Sequence, residues 1–185
     1  MTGSCSPTGY SKCFRKRKRE RMIREIVKFG SPVLRQKCEE VTKFDENLGR
    51  ILDDMYETMS EADGIGISAP QIGLPARLIV IDVDRRIELV NPVIVSAWGR
   101  QFEAEGCLSW PGKRGIVKRP KHVKVKGLDR HGKPVKFRAK DLLARAFCHE
   151  IDHLDGILFE DKVLEWVEDE PEDSKKAKER RVKKG

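Results

Sequence analysis

The sequence predicts an α+β fold, and three observations carry that expectation. Apolar residues recur at helical spacing in two separate stretches, one after Asp45 and one between Asp141 and Leu154. Between them lie several runs rich in β-branched residues, following one another without a helical period in between. Strands that are grouped and bracketed by helices, rather than alternating with them, build mixed or antiparallel sheets.

Residues 1–21 combine small polar residues with a basic run and show no apolar period, so they are expected to be a disordered basic extension. Folding is expected to begin at Met22. That methionine is also an alternative natural start, with the extension then a gene-calling artefact. An Arg-rich, acid-poor leader admits a transit peptide too, although the amphipathic period of one is missing.

From Asp45 onward, Leu48, Ile51, Leu52, Met55 and Met59 stand three and four apart and define one buried helical face, capped upstream by Asp45. The two methionines are read as core. Gly64-Ile-Gly-Ile-Ser-Ala-Pro-Gln-Ile-Gly73 breaks the helix, and strands are expected over 76–83, 87–95, around 117–125 and over 135–137. The Asp129-Arg-His-Gly132 turn implies a hairpin between the last two. A second helix over about 141–154 places Leu142, Leu143, Ala146 and Phe147 on one side and stops at Gly156. One domain over residues 22–170, followed by a basic tail over 171–185, accounts for the chain.

Composition narrows the functional classes. No stretch approaches the ~18 consecutive apolar residues of a membrane span, and the N-terminus lacks the apolar centre of a secretory signal. A soluble cytoplasmic protein with no membrane partner is expected, an organellar one being the lesser alternative. Five cysteines, an odd number without regular spacing, suit a reducing compartment and not a disulfide framework. The net charge of +8 is concentrated at the ends. Residues 1–21 and 174–185 each hold seven Lys and Arg against one Glu, which leaves residues 22–173 at −4. The body therefore does not read as a DNA-binding module.

His149-Glu-Ile-Asp-His153 lies inside the second helix. Residues four apart share a helical face, so both imidazoles reach one ion while Glu150 projects towards a bound water. The plainer reading is two helix histidines beside salt-bridging acids. A catalytic divalent metal takes three protein ligands and leaves a position for water. No His follows His153, but Glu105-Gly-Cys-Leu-Ser109 lies upstream, and Cys107 completes a Cys/His/His set. Taken alone, such a cysteine is ordinarily an inert small hydrophobe.

Gly64-Ile-Gly-Ile-Ser-Ala-Pro-Gln71, Glu105-Gly-Cys-Leu-Ser109 and His149-Glu-Ile-Asp-His153 together resemble, in order and approximate spacing, the three signature motifs of the peptide deformylases. The resemblance covers about residues 22–163. It departs at Ser68, where the family usually has Ala, and at Cys148, where Gln often precedes the first helix His. Trp110 beside the Cys motif is either a rim residue or packing.

The resemblance implies strands packed around a central metal-binding helix, and removal of the N-terminal formyl group from formyl-methionine of nascent polypeptides, with release of formate. It implies Cys107, His149 and His153 as ligands of one divalent metal, Fe(2+) by precedent, with Zn, Ni and Co suiting the same donors. Metal-bound water would attack the formyl carbon with Glu150 as general base and acid. Gln71 and the Leu108 N–H would stabilise the oxyanion. An extended peptide would pair with the backbone edge over Ile65, Gly66 and Ile67, with Ile65 and Leu142 lining the methionine pocket and Arg114 facing the substrate backbone. Glu105 is expected behind the ligands, while Asp152 either holds an imidazole or faces water.

Two rivals stand beside this reading. Against a zinc peptidase of the same helix motif stand Cys107 and the Gly64 loop. Against an RNA- or ribosome-binding module with a structural metal stands the want of a fourth ligand. The basic tails are expected to hold the enzyme near the ribosome.

Overall fold

A computed structural model describes residues 22–167. The basic extension over 1–21 and the tail over 171–185 lie outside the described residues. Among the described residues there are two α-helices, α1 (Glu46–Glu61) and α2 (Asp141–Leu154), and two sheets. The first sheet has five strands in the order β1 (Gly66–Ser68), β2 (Leu78–Asp82), β3 (Arg86–Trp98), β6 (His122–Leu128) and β7 (Pro134–Lys140). The second has three, in the order β4 (Gln101–Cys107), β5 (Trp110–Arg119) and β8 (Val163–Val167). Every strand pairing is antiparallel, and the one parallel element is an isolated Glu39–Ala76 bridge. The expected α+β class holds, with antiparallel sheets rather than mixed ones.

The Asp45 carboxylate accepts from the Leu48 N–H at 3.0 Å, capping α1 as its sequence position required. Leu48, Leu52, Met55 and Met59 are buried with β1 and β2 beneath them. Truncating a core residue such as Met55 to Ala costs about 2–5 kcal/mol. Helix α2 covers the opposite face of the same sheet, where Ala144, Phe147, Ile151 and Leu154 pack on Ile79, Leu89, Val123 and Val125. Gly156 ends it with a left-handed φ of 73°. A Cβ there would stand 2.5 Å from the Arg35 carbonyl, so no other residue fits without backbone movement.

Several boundaries differ from the sequence expectation. The run expected around 117–125 is two strands in different sheets, because Pro120 offers no N–H and directs the chain out of the ladder. Strand β4 was concealed by its charged alternation, and β8 by the charged segment around it. Leu142 does not join Leu143, Ala146 and Phe147 on the packed side; it is 41% exposed. No helix among the described residues is long and apolar enough to cross a membrane.

Candidate metal centre

Three elements converge on one end of α2. Strand β4 ends at Cys107, and the Leu108–Ser109 turn reverses the chain into β5. On α2, His149 and His153 lie one turn apart, with ring centroids 5.0 Å apart. The ligand atoms of Cys107, His149 and His153 all lie within 4.8 Å of one another, and His153 Nε2 is 3.3 Å from Cys107 Sγ. Their carrier helix is buried along this face, His153 being 1% exposed and Glu150 4%.

Glu105 fixes the imidazole of His149: its Oε2 lies 3.0 Å from Nδ1, so Nε2 is the ring atom turned to the cluster. Glu105 is itself held by Arg119, which donates Nε–H to Oε1 at 2.8 Å and Nη2–H to Oε2 at 2.9 Å. Burial opposes ionisation of Glu105, but Arg119 and His149 outweigh it and hold the carboxyl down at about 2. Asp152 takes neither expected part: it pairs with Arg119 and accepts from Lys162 Nζ at 2.6 Å. Sequence reasoning missed Arg119. Its signal is the alternation of β5, which puts Arg119 on the buried side with Val117, where an arginine requires carboxylate partners.

The two imidazoles are shifted in opposite directions. His149 is opposed by burial yet raised well above its ordinary value by Cys107 and Glu105. His153 is lowered, by burial first and then by His149. Burial pushes the Glu150 carboxyl up to about 7. A carboxyl near neutrality suits proton transfer in both directions at physiological pH. Glu150 Oε2 is buried and has no hydrogen-bond partner among the described residues.

Gln71 is not an ordinary loop glutamine. It is 1% exposed, and its Oε1 accepts from both the N–H and the hydroxyl of Ser68 at 2.9 Å. That turns Nε2 towards Cys107 Sγ at 3.5 Å and Ser109 Oγ at 3.3 Å. Ser68, one of the departures from the family pattern, thus orients the amide. Cys148 points into the core, outside the three-residue cluster, and burial pushes its thiol up to about 11. Trp110 stacks on Phe29 at 4.0 Å and also lines the site, so both readings of it hold.

The cluster floors a cleft of about 470 Å³. Ile65, Gly66, Leu108, Arg114 and Leu142 all line it, as do Cys107, His149 and Glu150. His153 closes the cluster from behind, against a small apolar cavity with Phe29, Leu34 and Phe159. Arg145 also lines the cleft and went unread in the sequence, since a helix arginine ordinarily reads as solvated.

A Cys/His/His cluster beside a buried glutamate of raised pKa, at the floor of an open cleft, defines a protein of the metallohydrolase class. Comparison with known proteins narrows the class. The sequence pattern of the Polypeptide deformylase family matches residues 23–168. The peptide deformylase of Heliobacterium modesticaldum is 56% identical over 142 residues, covering 76% of this chain and 94% of that protein. The crystal structure of a peptide deformylase from Legionella pneumophila is similar at a TM-score of 0.75 and 45% identity, over 76% of this chain and 86% of that one. That from Thermotoga maritima gives 0.75 and 40%, over 78% and 99%. The chain belongs to the polypeptide deformylase family, metal-dependent hydrolases of N-formylmethionyl peptides, and has that family's α+β fold of two helices and antiparallel sheets.

Proposed function

We propose that this chain deformylates formyl-methionine of nascent polypeptides at a centre in which Cys107 of β4 and His149 and His153 of a central metal-binding helix hold one divalent ion. The observation that carries the reading is the convergence of three ligand atoms within 4.8 Å beside the buried, unpartnered Glu150 Oε2. The donors fit such an ion. Glu105 occupies Nδ1 of His149, which leaves Nε2 free, and His153 Nε2 already faces the thiol. Thiolate with imidazole suits Fe(2+), the expected metal by family precedent, as well as Zn, Ni and Co.

An ion held there would supply Lewis acidity, lowering the pKa of water and polarising the formyl carbonyl. Glu150 takes the proton as water attacks the formyl carbon, then returns it to the departing amine, so free peptide and formate are released. The Gln71 amide and the Leu108 N–H donate to the oxygen on which charge develops. Ile65 and Gly66 offer backbone to an extended peptide, Ile65 and Leu142 wall the methionine side chain, and Arg114 faces the peptide backbone. The catalytic domain spans residues 22–170, the protein is cytoplasmic, and the basic tails bring it to the ribosome by counterion release.

Anaerobically purified protein is to be offered matched formyl-Met, acetyl-Met and free-amine peptides. Release of formate from the first, with the acetyl peptide untouched, is the expected result. Equal hydrolysis of the acetyl peptide contradicts the assignment.

A further inference from the structure

The five-stranded sheet is covered unevenly. Helix α2 packs along one face from β1 to β7, whereas α1 covers only the β1–β2 end of the other. The far half of that second face, formed by the end of β3 with β6 and β7, has no helix over it among the described residues.

Its outward side chains follow from the register. Lys124 stands directly opposite Arg138, Lys126 opposite Lys136, and His122 opposite Lys140. On the other flank, Trp98 pairs with His122, Ser96 with Lys124, and Val93 with Lys126. All five cations are exposed, and no carboxylate among the described residues forms an ion pair with any of them. Like charges directly opposite across a ladder destabilise it. Here two such pairs are adjacent, in a body whose net charge over 22–173 is −4. A polyanion laid on this face would relieve that repulsion.

The aromatic edge specifies which polyanion. Trp98 is 47% exposed, its ring lies parallel to His122 at 5.2 Å, and Lys124 Nζ sits 5.6 Å from its centroid. A flat sheet with an exposed aromatic beside rows of lysine receives an unpaired base on the ring and backbone phosphates on the ammonium groups. A membrane surface would call for bulky apolar side chains standing proud. This face has only Val93 and Val95, with its one large ring held flat against a histidine.

We propose that the uncovered face of β3, β6 and β7 is a docking surface for folded RNA, with Lys124, Lys126, Lys136, Arg138 and Lys140 on phosphates and Trp98 against an unpaired base. This surface is separate from the cleft and from both tails, and it does not depend on the proposed chemistry. In Lys124→Glu/Lys126→Glu both like-charge pairs become opposite-charge pairs, so the fold is preserved while the patch is broken. Full-length protein of each kind is titrated into a fluorescein-labelled RNA hairpin with an unpaired loop, across a KCl series. Wild type is expected to bind at least tenfold more tightly at low salt, with a log–log slope steeper by about 1.5, from roughly 0.7–0.9 per lost phosphate contact. Trp98→Ala should weaken binding several-fold without changing the slope. Turnover of a short formyl peptide stays equal in all three proteins. Equal affinity and slope for wild type and the double variant overturn the proposal, as does face-dependent binding to phosphatidylglycerol vesicles without face-dependent binding to RNA.

Discussion

Gly66 offers a sharp way to move Glu150 without touching it. A Cβ built on Gly66 lies 2.4 Å from Glu150 Oε1, 3.0 Å from Cδ and 3.1 Å from Cγ, whereas ordinary contact begins at 3.4 Å. All three nearest atoms belong to one side chain, so Gly66→Ala should push the carboxylate back by about 1 Å while strand β1 accepts alanine. A misplacement of that size at a reacting group costs on the order of 10²-fold in rate, equivalent to about 2.7 kcal/mol. The assay is steady-state deformylation of a formyl-Met tripeptide with metal content measured on the same samples. We expect kcat/KM to fall about a hundredfold at unchanged metal occupancy. Glu150→Asp in the Gly66→Ala background withdraws the carboxylate by one methylene, and should lose less than the two single changes sum to. Activity of Gly66→Ala within threefold of wild type, or a loss matched by lost metal, refutes the placement of Glu150 against β1.

Three further outcomes are expected. Cys107→Ala should lose bound metal and deformylation together, while Cys148→Ala retains the metal; metal analysis of the two proteins with their order reversed would remove Cys107 from the ligand set. In the ion-free protein Glu105, held down at about 2 from an ordinary 4.5, contributes about 3 kcal/mol that is fully present above pH 4.5 and lost as pH falls through about 2. Urea unfolding across that window should show this loss in wild type and not in Glu105→Gln, and parallel curves would deny the Glu105–Arg119 pair its weight. A protein trimmed to residues 22–173 should deformylate a short peptide at an unchanged rate yet bind ribosomes more weakly and with a shallower salt slope; equal ribosome binding at low salt would leave the tails without that part.

What the sequence revealed depended on how local each signal was. The capped helix from Asp45 and the helix carrying His149 and His153 were legible because cap, period and stop all lie within one element. The three motifs could be read for the same reason, each being a short segment with its own chemistry. Strand β8 was not, since Glu165 pairs with Ile116 of β5, far earlier in the chain, and β4 was not, since its charged alternation hides the buried side of its hairpin with β5. Arg119 escaped for a related reason, since an arginine acquires meaning only when folding brings Glu105 against it. Ser68 was within reach, because it and Gln71 stand three apart and form a local capping box. The charge arithmetic also averaged over the body and concealed the clustering of Lys124, Lys126 and Lys136 on one sheet face, which depends on register.

Glu150 is proposed to move the proton at an ion held by Cys107, His149 and His153. The most direct test of this role is to measure bound metal and formate release on the same anaerobic preparation of Glu150→Gln. An amide keeps the size of the side chain but cannot accept the water proton. The expected result is wild-type metal content with formate release reduced by at least a thousandfold. Glu150→Gln that retains its metal and releases formate within tenfold of the wild-type rate would contradict the account.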